Sequence, residues 1–287
     1  MLWGLAGTSG VSAAPVKAVS WNIEWYPGGR PEASNAERRA HAVLVTRQLV
    51  KMSPEIFLAQ EVTDERAFQK LVGEVAGMKM DIFSRFPDRD VPARQGPQQC
   101  AIASTLKVRE AFFEVFKPVA NVPSLTRGFA FAALEHPAGG LIMVYSVHLK
   151  SNRGSETAVG ERDVADARIE SARQLIAHRA EMEKRFAGER VMGWLIGGDF
   201  NTNHDGQFPR CTAIANLVAA GFHNSWDGTP KGERLTWRVG PDERRFQPTT
   251  FDYLMTAGFK ERQAKLYGGV SLEASDHAPV GILLEGK

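Results

Sequence analysis

The residues of this sequence that can handle protons, cations and phosphate stand where apolar runs stop. "SWNIEW" places Asn22 and Glu24 at the end of a first run, and "AQEV" places Glu61 at the end of another. "VHLKSN" carries His148, with Lys150 and Asn152 behind it, and "GGDFNTN" carries Asp199 and Asn201 around Phe200. "TFDYLM" holds Asp252, and "ASDHAPV" holds Asp276 beside His277. Alternate residues of an extended segment point the same way, so Asp199 and Asn201 share a side while Phe200 faces the core. Gathered at one edge of the strands, these groups form a cluster of acids, amides and two histidines. Hard oxygen donors of this kind suit Mg²⁺, Mn²⁺ or Ca²⁺, whereas zinc favours Cys and His. Glu61 with Asn22 or Asp276 nearby matches the way Mg²⁺ is held, by one or two carboxylates plus water and substrate phosphate. Asp252 and His277 form a candidate pair in which the carboxylate fixes the ring's tautomer and charge. A second acid, Asp199, is placed to orient or deprotonate a water. The set suits metal-assisted hydrolysis of a phosphoester, with cation and protonated histidine balancing charge on the phosphoryl oxygens.

The elements that must position these groups are legible in the hydrophobic pattern. Strands are expected over 16–23 and 55–62, a helix over 35–52 that stops before Pro54, and a second helix to about Ala76 with Asp64 as N-cap and Glu65 in its first turn. "MKMDIFS" and "QQCAIAS" read as strands on either side of a Pro- and Gly-containing loop. Residues 128–149 read as a hairpin with a Pro/Gly turn. A long amphipathic helix is expected over roughly 161–186, with Arg168 and Arg173 on its solvated face. The motif strand, a helix around 211–220, and the strands "TTFDYLMTA" and "APVGILLE" complete the chain. Strands outnumber helices, and hairpins alternate with helical crossovers. The expected fold is a four-layer α/β sandwich of two packed sheets with helices outside, in a single domain over 16–287.

The ordered set "WNIE", "QEV", "VHLKSN", "GDFNT", "FDYLM" and "SDHAPV" resembles the endonuclease/exonuclease/phosphatase superfamily, which includes deoxyribonuclease I, abasic-site endonucleases of the exonuclease III type, bacterial sphingomyelinases and inositol polyphosphate 5-phosphatases. The resemblance runs from about Val16 onward. It implies that Glu61 is the main metal-binding glutamate, with Asn22 beside it and Glu24 and Asp276 as further acids near the metal. It implies that His148 contacts the scissile phosphate, as in deoxyribonuclease I and sphingomyelinases; abasic-site endonucleases carry a tyrosine there, so this chain departs from them. Asp199 matches the aspartate that positions or activates water, Asn201 the amide that binds phosphate, and His277 the catalytic histidine paired with Asp252. The expected activity is a divalent-metal-dependent phosphodiesterase, with nucleic acid the first choice of substrate. Sphingomyelinase-like lipid phosphodiesterase, small-molecule phosphatase and an inactive binding scaffold are the alternatives, the last disfavoured because every site residue is present.

Bulk composition leaves that choice open. The chain has 287 residues, 43% hydrophobic and 24% charged, with net charge +2, too small for the basic stripe of a tight duplex-DNA binder. No apolar run approaches the roughly 20 residues that span a bilayer, so stable membrane insertion is not expected. The uncharged start "MLWGLAGTSGVSAAP" reads either as an atypical secretion leader, which places the protein outside the cytoplasm, or as a tail, which leaves it inside. Cys100 and Cys211 lack metal-type spacing; they read as buried free thiols, or as a disulfide pair if the protein is exported. A monomer without a protein partner is expected. The loop 226–247 interleaves Lys231, Arg234, Arg238, Arg244 and Arg245 with Trp226, Trp237 and Phe246. Such a mixture either stacks on bases and binds phosphate or is ordinary loop packing. Trp237 is taken as a substrate contact because the corresponding loop borders the cleft in the family. Lys150 and Asn152 are further candidates for contacting substrate phosphate.

Overall fold

Strand β1 (Val16–Tyr26) shows how the sequence pattern becomes architecture. Val16 and Ala18 enter a core between two sheets, whereas Val19, Trp21 and Ile23 enter a second core beneath helices. The computed structural model describes residues 14–88, 95–122, 125–240, 247–260 and 263–287. The first sheet surrounds β1 in the order β11–β12–β1–β2–β4–β3, built from β2 (Ile56–Val62), β3 (Lys79–Phe83), β4 (Gln99–Ser104), β11 (Lys265–Leu266) and β12 (Val280–Leu284). β1 and β2 are parallel, and β12 pairs with β1 antiparallel.

Helices α1 (Asn35–Met52) and α2 (Glu65–Gly73) cover the outer face of this sheet. Ser34 starts α1 by accepting from Glu37 N, while the Glu37 carboxylate accepts from Ser34 N, so two otherwise orphaned donors are satisfied together. Asp64 caps α2 through Ala67 N at 2.9 Å, as expected, although the helix stops at Gly73. Val45 and Leu49 of α1, and Phe68, Leu71 and Val72 of α2, pack on Val19, Trp21 and Phe57.

The second sheet has the order β5–β6–β7–β8–β10–β9. Its strands are β5 (Lys107–Val115), β6 (Gly128–Glu135), β7 (Leu141–His148), β8 (Val191–Asp199), β9 (His223–Asn224) and β10 (Asp252–Ala257). β7 and β8 are parallel and joined by α3 (Ala158–Arg185), a crossover that buries Ala172, Leu175 and Met182; α4 (Ala213–Ala219) packs beside it. Both sheets are mixed and helices cover their outer faces, which is the four-layer α/β sandwich expected from the sequence. β5 is the one long strand that the hydrophobic pattern passes over. It is an edge strand carrying Lys107, Arg109, Glu110 and Glu114, and charge on an edge suppresses both sheet-to-sheet aggregation and the apolar signal. β9 and β11 are too short to show a period.

The two sheets are held in register by more than apolar contact. Gly197 of β8 faces the first sheet, and a Cβ there would lie 2.4 Å from Leu58 Cδ1, so the missing side chain is what lets the sheets approach. Next to it, fully buried Gln60 donates to Ser146 Oγ of β7 at 3.0 Å and to the Leu58 carbonyl at 3.2 Å. Ser146 Oγ in turn donates to the Ala59 carbonyl at 3.0 Å. Each buried polar atom in this bridge has a partner, so it costs little and penalises any sliding of one sheet over the other.

Outside the second sheet, His178 of α3 lies among Phe112, Phe129, Phe131 and Tyr145, with its Nδ1 3.0 Å from the Tyr145 hydroxyl. Burial pushes this imidazole down to about 4, from an ordinary value of 6.5. The unfolded chain therefore binds a proton between pH 6.5 and 4 that the folded chain refuses. Stability is lost as pH falls through that window and none of this component is lost above it. His178→Leu should be less stable at pH 7.5, because the Tyr145 hydroxyl loses its partner, yet its melting temperature should fall less steeply between pH 6.5 and 4. Parallel melting curves for variant and wild type across that range would refute the assignment.

Cys100 is buried and Cys211 half-buried, and both are free thiols. Among the described residues no helix is long and apolar enough to cross a membrane.

Candidate active site

Register brings the motifs together. His148 at the end of β7 is paired in the ladder with Asp199 at the end of β8, and Asp199 is paired with Asp252 at the start of β10. On the other sheet, Asn22 of β1 pairs with Gln60, immediately before Glu61. Regular alternation would put Glu61 on the same outward face as Phe57 and Ala59, beneath α2. Instead the β2 ladder slips between Ala59 and Val62, the β1 ladder slips between Asn22 and Tyr26, and Glu61 adopts φ +59°. The distortion turns the Glu61 carboxylate inward, where it accepts from Asn22 Nδ2 at 3.2 Å and Trp25 N at 3.2 Å. Glu24 (φ +44°), Trp25 (φ +47°), Arg127 (φ +63°) and Asn201 (φ +52°) share this left-handed conformation. Only two other described non-glycine residues, Ser53 and Asn121, do so. Each such residue costs about 1–3 kcal/mol, so the strain in this fold is concentrated around one cleft.

The cleft has a volume of about 810 Å³ and is lined by Glu61, His148, Asp199, Asn201, Asp276 and His277 among others. Asn22 Nδ2 donates to Asp199 Oδ2 at 3.1 Å as well as to Glu61, tying the two sheets' acids together. Asp199 Oδ1 accepts from Asn201 N at 2.8 Å, and Asn201 Nδ2 donates to the Leu149 carbonyl at 3.2 Å. His277 Nδ1 is 2.7 Å from Asp252 Oδ2, and its Nε2 is 3.7 Å from Asp199 Oδ2. His148 Nε2 lies 3.5 Å from Asp199 Oδ2 and 3.9 Å from Glu61 Oε1. Asp276 accepts from Trp237 Nε1 at 2.8 Å and donates its own N–H to Glu24 Oε2 at 3.0 Å.

These environments drive the two histidines apart. Burial alone would lower His277, but Asp252, Asp199 and Asp276 together outweigh it and hold the ring well above its ordinary range. His148 is pushed well below by burial, then by Arg127 and His277. One imidazole is thus charged and the other neutral at pH 7, the separation expected where two titratable groups take different roles. Burial raises Asp199 to about 7 against the opposing pull of His277, and it raises Glu24 to about 7 with help from Asp276. Glu61 is likewise raised by burial.

This crowd of oxygen donors fits a hard divalent cation. Three carboxylates whose ionisation is resisted by burial and by one another are stabilised in the charged form by a positive ion. Among the described residues no three acidic, histidine or cysteine side chains stand ready to enclose one. Glu61, with Asn22, Glu24 and Asp276 around it, could hold such an ion together with water and substrate oxygens.

Other expected residues fall differently. The Lys150 ammonium donates to the Ser151 and Arg153 carbonyls and is not part of the cleft lining. Asn152 lines the cleft and donates to the Asn201 carbonyl at 3.0 Å. Within the loop 226–247, Trp237 borders the cleft, whereas Trp226 is buried and donates to the Asp252 carbonyl at 2.9 Å. Arg234 is committed to Asp205, and Arg238 to the carbonyls of Val270 and Ser275. Arg244, Arg245 and Phe246 lie outside the described residues, as does most of the segment read as a leader or tail. Arg173 is exposed and paired with Glu170 at 2.6 Å, as expected of a solvated face, but Arg168 is buried, contrary to expectation. Its alignment with Val164, Ala165, Ala172 and Leu175 on the buried stripe of α3 is the signal that marks it. Arg127 was not singled out by the sequence pattern; its guanidinium donates to the His148 and Leu149 carbonyls and to Gln98 Oε1.

No family model matches the sequence, and no curated protein matches it. Solved structures do. Truncated TDP2 from Caenorhabditis elegans is 17% identical, with TM-score 0.66 over 94% of this chain and 97% of that one. An endonuclease/exonuclease/phosphatase from Bacteroides vulgatus is 16% identical, with TM-score 0.68 over 96% of this chain and 100% of its own. The chain has the endonuclease/exonuclease/phosphatase fold. The Bacteroides thetaiotaomicron mannosyl-6-phosphatase Bt3783 shares it at 15% identity and TM-score 0.60, over 94% of this chain and 99% of that one. In the endonuclease/exonuclease/phosphatase fold of this chain, the cleft described above opens at the sheet edge where β1, β2, β7 and β8 end.

Proposed function

We propose that the protein is a divalent-metal-dependent phosphoester hydrolase that cleaves phosphodiesters, with nucleic acid as its substrate. The observation that carries this reading is Asp199 Oδ2 set between His148 Nε2 at 3.5 Å and His277 Nε2 at 3.7 Å, on the rim of a carboxylate cluster suited to a cation. Neighbours of the same fold, among them TDP2 and a mannosyl-6-phosphatase, support hydrolysis of phosphoesters as the reaction class.

The side chains divide the work. Asp199, fixed by Asn201 N and Asn22 Nδ2, orients a water for in-line attack on phosphorus and accepts its proton as the new P–O bond forms and the leaving P–O bond breaks. His277, charged and held by Asp252, directs Nε2–H at a phosphoryl oxygen as negative charge accumulates there. His148 adds a neutral N–H on the other side, and Asn201 fixes the phosphate. Glu61, with Asn22, Glu24 and Asp276 around it, would hold Mg²⁺, Mn²⁺ or Ca²⁺, which would supply neutralisation of charge on the phosphate. Trp237 and Asn152 line the cleft where the rest of the substrate lies.

Purified protein should nick supercoiled plasmid with Mg²⁺ and fail to do so in EDTA. Hydrolysis confined to sphingomyelin or to phosphomonoesters such as a sugar phosphate would move the substrate to those classes. No hydrolysis of any phosphoester with Mg²⁺, Mn²⁺ or Ca²⁺ would overturn the reading and favour a binding role.

A further inference from the structure

We propose that Arg168 is a positioning residue for this reaction, clamping the loop after β7 to the loop after β8 so that His148 and Asp199 keep their spacing. The inference rests on the hydrolase reading only for its kinetic consequences; the clamp itself is geometric.

Arg168 is 1% exposed. Its Nε donates to the Lys150 carbonyl at 2.6 Å and its Nη2 to Asn152 Oδ1 at 2.6 Å, so one planar group grips the His148 loop at two points. The Asn152 amide passes the constraint on, donating from Nδ2 to the Asn201 carbonyl at 3.0 Å. Asn201 N holds Asp199 Oδ1, and Asn201 Nδ2 holds the Leu149 carbonyl. The chain Arg168–Asn152–Asn201–Asp199 therefore links the middle of α3 to the water-orienting acid. The guanidinium also lies over the Phe208 ring, 5.7 Å from its centre, and Phe208 follows Asn201 in the second loop. Arg127 takes the His148 and Leu149 carbonyls, so three successive carbonyls, at 148, 149 and 150, end on arginines.

The chemistry excludes a bland packing role. Among the described residues no carboxylate lies in salt-bridge contact with Arg168; Asp199 acts on it from further away and the Cys211 sulfur is a side-chain partner, and burial outweighs both, so the cation is costly to keep there. A leucine or methionine would fill the same volume without that cost. What only arginine offers is a rigid fork that serves two acceptors at fixed separation. Lysine can meet two acceptors only from a single flexible ammonium, without the planar fork that fixes their separation.

A pocket of about 210 Å³ lined by Asn152, Val164, Arg168, Phe208 and Cys211 lies beside the clamp and shares Asn152 and Phe208 with the cleft. This makes chemical rescue a practical test. In Arg168→Ala, kcat for bis(4-nitrophenyl) phosphate should fall about a hundredfold, the scale of a small misplacement of reacting groups, with KM little changed. Millimolar guanidinium should restore at least tenfold of that loss, and it should do nothing for Asn152→Ala. The double variant should be no slower than the slower single. Arg168→Lys should be intermediate and, if Arg168→Ala does not fold, provides the same comparison. Full kcat in folded Arg168→Ala or Arg168→Lys, or equal guanidinium effects on all forms, would overturn the proposal.

Hydrogen exchange keeps the two readings separable. Leu149 N donates to the Asp199 carbonyl at 2.9 Å, and Asn201 N to the Asp199 side chain. If the wild type hydrolyses no phosphodiester, the hydrolase reading fails, yet the clamp still predicts that Arg168→Ala loses protection at these two amides while α3 keeps its own. Unchanged protection at Leu149 and Asn201 overturns it whatever the activity.

Discussion

His277→Ala should lower phosphodiester hydrolysis by about three to four orders of magnitude, the range for loss of a positioned acid–base group whose charge also stabilises the transition state. Asp252→Asn should lose nearly as much, because Asp252 is fully buried and acts through His277 Nδ1 at 2.7 Å. The double variant should be no slower than His277→Ala, since groups that act as a unit are not additive. Stability should fall in His277→Ala and recover in the double variant. Removing His277 leaves the Asp252 carboxylate buried without its cation, and its Oδ1 already has no partner among the described residues. That loss is worth about 3–5 kcal/mol, and adding Asp252→Asn should return much of it. Plasmid nicking and urea unfolding on the same four proteins test both halves. Additive losses of activity, or a double variant less stable than His277→Ala, would show that the two residues do not form the proposed pair.

Gly198→Ala should be among the most damaging single-methyl changes available. Gly198 has φ +156°, and a Cβ there would sit 1.9 Å from the Val147 carbonyl oxygen, in the ladder that joins β7 to β8. Backbone cannot swing aside as a side chain can. The strands must part or the residue must leave its conformation, at a combined cost of about 3–6 kcal/mol from overpacking and backbone strain. Against a typical total of about 5–15 kcal/mol, that is enough to leave much of the protein unfolded at 37 °C. Gly197→Ala is the informative comparison. Its Cβ would meet Leu58 Cδ1 at 2.4 Å, the end of a side chain that can rotate, so the loss should be smaller. Gly188→Ala, with open space around it, should be neutral. A Gly198→Ala urea midpoint equal to that of Gly188→Ala would falsify the argument.

How much of this was legible in sequence differs from residue to residue for physical reasons. The four-layer sandwich was readable because alternating and helical periods survive wherever an element buries one face, as in β1 and α1. Asp199, Asn201, His148 and His277 were readable because polar residues at the ends of apolar strands violate the local pattern. Glu61 was readable as an acid at a strand end, but its inward turn depends on a bulge that no period announces. Arg127 and Gln98 act through loop geometry, and nothing in their neighbourhoods distinguishes them from surface residues. Arg168 was misjudged because charge outweighed position: an arginine in the middle of an apolar stripe is itself a signal that something polar waits on the other side. The hairpin turn and the Asp64 cap were readable from chemistry local to a few residues. β5 was not, because an edge strand hides its period behind charge.

The division of the cleft between the two sheets has a consequence for the life of the chain. Asn22, Glu24 and Glu61 belong to one sheet, and His148, Asp199 and Asp252 to the other, with the Gln60–Ser146 bridge setting one against the other. On the proposed reading the ion site and the water-activating Asp199 come from different sheets, so a partly assembled chain would have no weak version of the activity to leak. Catalysis would then switch on only when the halves meet, leaving an unfinished chain inert toward phosphoesters.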